Sequence, residues 1–340
     1  MLHVGIDMHK RFSQVTVMDD AGRVVYSGKL MHDRRDAMAE FFRRLGPDAV
    51  VTIEATRGWY WLYEFVEAFG IQVKLAHPLG VRVIAAAKVK NDKIDSRMLA
   101  YLERGGLLPE SYIPPREVRD QREALRYRIA QVRIRAILKN RVHAILDKLG
   151  ISHKYTDLFG LAGLAFLKTV EMRQVYRQEL DGYLATIEYL DGKIKEATQA
   201  IRVLLKPDPR VKLLMTIPGV GELTAYLLLS EIGDIKRFAT ARKLCSYAGI
   251  TPIVRESAGH RWEGHISKTG SRYIRWAIVE AAQLAPRQDA ALLEFYGRIG
   301  KRRGPKRARV AVGRKLLVAV WQVLTYEQEY RYNCLATYHG

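Results

Sequence analysis

Cysteine is nearly absent from this chain of 340 residues: Cys245 and Cys334 are the only two. They lie far apart and form no C-x-x-C pair, so neither a disulfide framework nor a cysteine-rich zinc site is expected. Long apolar runs are missing too. No uninterrupted stretch approaches the roughly 18–20 residues a membrane-spanning helix needs. The opening "MLHVGIDMHK" has no signal-peptide pattern and runs straight into a strand-like segment. A cytoplasmic protein with no membrane partner is expected. No internal repeat or low-complexity tract stands out. Negative charge is also scarce. Against 56 Lys and Arg there are 36 Asp and Glu, a formal net charge of +20. An excess of that size concerns partners rather than fold, and nucleic acid is the first polyanion to expect.

What is present suffices for an ordinary core, since 48% of the residues are hydrophobic. The length suggests two or three domains. Residues 1–113 alternate strand and helix signals. "LHVGID" reads as a strand, "SQVTVMDDAGRVVYSGKL" as two strands joined by a turn, and "DAVVTIEA" as a fourth. "GWYWLYEFVEAFG" has helical spacing, and "IQVKLAHP" is a fifth strand. An α/β domain with a mixed sheet is expected here. Residues 116–205 change character. From Arg116 no Pro or Gly occurs until Gly150, and ten Lys or Arg face four acids between Arg116 and Lys148. A second helical stretch spans about 170–205, and the two are expected to form an antiparallel coiled-coil hairpin. Its charges read either as a solvated face or as an arm for nucleic acid or dimerisation. After "KPDPR", residues 211–330 read as a compact, mostly helical domain ending in the basic stretch 297–315.

The scarce carboxylates are placed in a pattern. Asp7 ends the first strand and Glu54 the fourth. Asp92 and Asp95 sit three apart in "VKNDKIDSRM", on one face of a helix that Asn91 can cap. Four carboxylates gathered at one sheet edge make a hard oxygen site suited to Mg²⁺ or Mn²⁺, and such ions serve phosphoryl transfer. The order strand Asp, hairpin, strand Glu, helical D-x-x-D resembles the ribonuclease-H-like fold of the RuvC junction resolvases.

In the second half, "TIPGVGELTAYLLLSEIG" looks like a helix-hairpin-helix. Its Pro-Gly-Val-Gly turn is expected to offer backbone N–H groups to a phosphate. Together with "YAGITP" and "ISKTGSRYIR", and the carboxylate order upstream, it resembles the DEDD transposases of the insertion-sequence-110 family. The resemblance covers almost the whole chain. It implies a RuvC-like N-terminal domain, a coiled-coil middle and a serine-bearing C-terminal transposase domain. The metal ligands it implies are Asp7, Glu54, Asp92 and Asp95. The nucleophile it implies is Ser257, since the family's Ser-Gly-Gly segment falls on Ser257-Ala258-Gly259, with Ala258 in place of the commoner Gly. Ser246 is the alternative, though its apolar helical surroundings assign it to core packing. Donor and target DNA, a structured guide RNA from the element itself, and a dimer or tetramer are the implied partners.

Two other classes compete. A junction resolvase would use the carboxylates alone and release hydrolysed DNA without a protein adduct. A non-catalytic nucleic-acid binder would leave the four carboxylates without a role.

Overall fold

The computed structural model describes residues 1–56, 58–84, 91–257 and 260–331; at 255–257, 260, 261 and 263 it describes the backbone only. The chain divides into two compact units, Met1–Pro114 and a second beginning at Pro115.

The first unit is a five-stranded mixed sheet with helices. Its elements are β1 (Leu2–Met8), β2 (Phe12–Met18), β3 (Val24–Met31), α1 (Arg35–Leu45), β4 (Ala49–Glu54), α2 (Trp59–Glu67), β5 (Gln72–Ala76), α3 (Pro78–Ile84) and α4 (Asp92–Arg104). The spatial order is β3-β2-β1-β4-β5. β1, β2 and β3 pair antiparallel as a meander; β4 and β5 join parallel to β1 and to each other. Alternation along the strands sorts the two faces. Val4, Ile6, Val15, Val17, Val51 and Ile53 point into a core shared with Met38 and Phe42 of α1 and Leu62 and Val66 of α2. α1 is not among the expected elements, although its Met38 and Phe42 are spaced as a buried helical face.

The opposite face carries α4, and Gly5 decides how closely. A Cβ added to Gly5 would lie 1.9 Å from the Ser96 carbonyl oxygen and 2.6 Å from the Ala100 nitrogen. Only glycine lets the α4 backbone lie directly on β1. Thr16 Oγ1 and Ser96 Oγ, 2.9 Å apart and buried, fix the register of helix on sheet. Asn91 caps the helix, accepting the Ile94 N–H at 3.0 Å, as its place in the sequence suggests.

The second unit is mostly helical. It begins with α5 (Arg116–Lys148), α6 (Leu161–Thr169) and α7 (Gln174–Leu204). α5 and α7 pack antiparallel: Arg128 Nε donates to Thr198 at 2.8 Å, while Arg135, further along α5, pairs with Asp191, further back on α7. The distal half of this hairpin has its own core around Val142, Leu146, Leu167 and Leu180. The near end of α5 belongs elsewhere. Leu125 and Ile129 join a core with α8 (Pro209–Met215), α9 (Glu222–Ile232), α10 (Ala241–Tyr247), α11 (Arg272–Gln288) and α13 (Pro305–Tyr326). Between α10 and α11 the chain forms a hairpin of β6 (Pro252–Ser257) and β7 (His260–Ile266), and α12 (Ala290–Arg303) precedes α13.

Three arginines of α5 need a correction. Arg119 and Arg122 are buried, and Arg126 is largely so. Arg122 donates to the carbonyls of Ser230 at 2.6 Å and Glu231 at 3.0 Å, covering the C-terminal end of α9 where carbonyls lack helical partners. Arg126 grips the carboxylate of Glu231, itself 1% exposed, through two bonds of 2.8 and 3.2 Å. Ser271 donates to the same carboxylate at 2.9 Å. These arginines hold the fold together and are neither a solvated face nor a nucleic-acid contact.

Candidate metal centre

Asp7 is the sixth residue of β1 and shares a face with Gly5, two positions back, so it points toward α4. β1 and β4 run in register through Ile6 and Ile53. One step further along both strands come Asp7 and Glu54, on that same face. In α4, Asp92, Asp95, Ser96 and Leu99 follow helical spacing, so the two aspartates lie on the side that packs against the sheet. Both occupy the first turn, where the helix dipole favours negative charge. The backbone thus puts the four sequence-predicted carboxylates at one end of one face, and Asp95 and Asp92 lie close enough to Asp7 to act on its charge. All are half-buried.

His9 is not among the residues the sequence pattern singled out, yet it stands among the carboxylates. Its Nε2 is 3.1 Å from Asp7 Oδ2 and 3.1 Å from Asp92 Oδ2. Donor atoms of Asp7, His9 and Asp92 all fall within 4.8 Å of one another. The signal lay in "IDMH": i and i+2 at the end of a strand share a face. Nε2 is shielded from solvent but not aligned with either carboxylate as a hydrogen-bond partner. The nitrogen stands equally far from the two carboxylate oxygens.

The electrostatics fit that crowding. Burial pushes the Asp7 carboxyl above its ordinary value; Asp95 and Asp92 push it further, and His9 pulls it back. Like charges this close disfavour one another's ionisation, and a cation between them relieves the repulsion. The donor set and the shielded ring nitrogen suit a divalent ion.

The C-terminal motif residues fall on the second unit. Ser257 is the last residue of β6, its backbone paired with His260. Its side chain, with Ala258 and Gly259, lies outside the described residues. His265 and Lys268 nearby are exposed. The hairpin is seated by the other two motif stretches. Gly249 and Gly270, both in the left-handed region, bring backbone against backbone: their added Cβ atoms would lie 2.1 Å from Thr269 O and 1.9 Å from Tyr247 O. The Lys268 N–H donates to Gly249 O at 3.1 Å and the Ser271 N–H to Tyr247 O at 3.1 Å.

Two expectations change. Ser246 does not pack in the core. α10 buries Ala241, Leu244, Cys245 and Ala248, and Ser246 falls outside that stripe and is exposed. The Pro-Gly-Val-Gly turn does not offer all its donors either. Gly219 gives its N–H to Gln288 Oε1 at 2.7 Å and Val220 to Ile217 O at 3.0 Å, while Glu222 puts a carboxylate on the first turn of α9. No helix among the described residues is long and apolar enough to cross a membrane.

Comparison with known proteins joins the two halves. A family model for the DEDD transposases of IS110 matches residues 4–151, and one described as "Transposase IS116/IS110/IS902 family" matches residues 211–297. The chain is 26% identical to a "Probable family 20 transposase" of Pseudomonas aeruginosa, covering 96% of this chain and 98% of that one. It is 27% identical to the transposase for insertion sequence element IS1328 of Yersinia enterocolitica, over 95% and 96% of the two chains. It is 26% identical to the transposase for IS1111A of Coxiella burnetii, over 96% and 91%. These matches define an enzyme of DNA transposition and recombination, which binds DNA and, through its DEDD domain, implies a divalent metal. The chain belongs to the IS110 family of insertion-sequence transposases.

Proposed function

We propose that the chain cuts and rejoins DNA through two sets of groups: a metal-holding carboxylate set, Asp7, Glu54, Asp92 and Asp95, and a serine nucleophile, Ser257. The observation that carries the reading is the gathering of Asp7, Asp92 and their neighbours at one end of the sheet. The strand order β3-β2-β1-β4-β5, a meander continued by parallel strands, supports an RNase-H-like fold of the RuvC type. A bound Mg²⁺ or Mn²⁺ would withdraw charge from the scissile phosphate and ease loss of the attacking hydroxyl's proton.

The chain's own groups do the rest. The carboxylates fix the cation without supplying a nucleophile. Ser257 Oγ forms a bond to phosphorus as one phosphate ester bond of the DNA breaks. The serine proton leaves Oγ, and the departing deoxyribose oxygen gains a proton. Reversal with a different DNA hydroxyl frees Ser257 and restores a phosphodiester. One ester replaces another at each step, so no nucleotide cofactor is required. The paired α5 and α7 support a coiled-coil element that joins copies into a dimer or tetramer. The net charge of +20 supports binding of a structured guide RNA besides DNA. The α8–turn–α9 unit serves as the helix-hairpin-helix, with the Gly221 N–H, the remaining donor of its turn, facing the backbone of the nucleic acid. We place three functional regions at 1–113, 116–205 and 211–330.

The test is a denaturing gel with end-labelled DNA carrying the element's ends, with the element's noncoding RNA present. A protein–DNA adduct that needs both Ser257 and Asp92 and maps to the Ser257 peptide is expected. Because the two sets act as a unit, Ser257→Ala with Asp92→Ala is no worse than either alone. An adduct that survives Ser257→Ala and disappears in Ser246→Ala reassigns the nucleophile. Cut DNA with no adduct under trapping conditions replaces transfer to serine by hydrolysis.

A further inference from the structure

We propose that His9 is itself a ligand of the divalent ion, so that the centre is a mixed nitrogen–oxygen site that takes Mn²⁺ in preference to Mg²⁺. The inference rests on the metal reading given above and changes the donor set from all-oxygen to one with an imidazole.

Three observations carry it. The first is spacing. Ligands about 2.1 Å from an octahedral ion stand about 3.0 Å from their neighbours. His9 Nε2 is 3.1 Å from an oxygen of Asp7 and 3.1 Å from an oxygen of Asp92. The second is the state of that nitrogen. It is shielded from solvent and aligned with neither carboxylate for a hydrogen bond. A ring nitrogen held solely to pair with a carboxylate would direct its N–H along one oxygen; this one is shared between two. The third is support. The His9 backbone N–H donates to Phe12 O at 2.9 Å, closing the turn after β1. The ring lies 4.7 Å from that of Phe12, which Lys29 covers on a 4.4 Å approach. Backbone and ring together hold the imidazole over the carboxylates.

The consequence is selectivity. Carboxylates alone suit Mg²⁺, whereas an imidazole shifts affinity toward later ions. Mg²⁺ also dehydrates reluctantly and keeps waters rather than accept nitrogen.

The experiment uses the full-length chain and its His9→Gln and Asp7→Asn variants. Calorimetric titration with MnCl₂ and MgCl₂ gives both affinities, and pulsed electron paramagnetic resonance of bound Mn²⁺ detects a directly coordinated nitrogen. Expected are a nitrogen coupling in the wild type that is absent in His9→Gln, and a fall in the Mn²⁺-over-Mg²⁺ preference of about tenfold or more, the scale on which even outer-shell changes act. Circular dichroism establishes that His9→Gln is folded, and the coupling is read only on folded, Mn²⁺-loaded protein. No nitrogen coupling in the wild type, or one that persists in His9→Gln, overturns the inference. So does a parallel rise of both affinities in His9→Gln, which would make His9 a counter-cation that the metal displaces. In those cases the carboxylate reading still stands if Asp7→Asn abolishes binding of both ions. If Asp7→Asn binds both ions as well as the wild type, the metal site itself is overturned along with His9.

Discussion

Replacing Asp7 by Asn should make the metal-free protein more stable. In the fold the Asp7 carboxyl is raised above its ordinary value by burial first and by Asp95 and Asp92 next. A carboxyl raised in the folded state favours folding while protonated. That contribution is complete below its unfolded value, near 3.8, and is lost as pH rises through the folded value. Above that folded value the ionised Asp7 is therefore a burden. Its donor oxygen lies within 4.8 Å of that of Asp92. Two unit charges at that distance repel by about 3.5 kcal/mol at an effective dielectric constant of about 20. Asp92 is 44% exposed and His9 stands between the two, so solvent screening and that neighbour reduce the net cost to about 1 kcal/mol. A change of that size raises the melting temperature by about 2–4 °C in a chain of this scale. The assay is thermal melting in chelator at pH 7.5 and again near pH 4, followed by titration with a divalent ion. Asp7→Asn should melt higher at pH 7.5, and the gap should narrow toward pH 4. Added metal should raise the wild type and not the variant. A variant equal to or less stable than the wild type in chelator at pH 7.5 would refute the argument, because carboxylate crowding would then impose no strain.

Other predictions follow from packing. Gly5→Ala should lift α4 off β1, lowering stability by about 3 kcal/mol or more and weakening metal binding, whereas Gly182→Ala, where an added Cβ meets nothing within 4 Å, should be neutral or stabilising; paired urea melts distinguish them. Arg126→Met leaves Glu231 buried without its bidentate partner and should cost about 3–5 kcal/mol in denaturant unfolding, more than Arg126→Met combined with Glu231→Leu. At the α12–α13 corner Lys301, Arg302, Arg303, Lys306 and Arg307 are all exposed. Neutralising them should reduce the slope of log affinity against log salt by about 0.9 for each duplex phosphate that is no longer paired with a cation, while the buried Arg119 and Arg122 add nothing to that slope.

Legibility in the sequence followed periodicity. Asp7 and Glu54 were readable because an apolar run that ends in one acid is a strand whose next face position is polar. Asp92 and Asp95 were readable because Asn91 announced a helix start and three residues make most of a turn. His9 was passed over because it follows the strand rather than ending it, although its offset from Asp7 keeps it on the same face. Arg119, Arg122 and Arg126 of α5 were misread for a different reason. Charge indicates a preference for water or for a counter-charge, and sequence alone does not tell which. Glu231, 105 positions beyond Arg126, supplied the second. The β6–β7 hairpin was hidden because "VRES" and "HRWE" carry too few apolar residues to show alternation. What seats it, Gly249 against Thr269 and Gly270 against Tyr247, is a contact between backbones and leaves no side-chain pattern to read.

α5 has mechanical consequences as well as structural ones. Its 33 residues make a rod of about 50 Å. The rod is rooted near one end by Arg122 and Arg126 on α9, and its far end belongs to a separate small core. A helix of that length bends little, so it behaves as a lever with its fulcrum beside Glu231. A tilt of about 5° at the root displaces the far end by roughly 3 Å over the roughly 33 Å from Arg126 to Lys148. In the other direction, a load on the distal hairpin is felt as torque at Glu231, and Glu231 is tied through Ser271 to the start of α11, directly after the hairpin that bears Ser257.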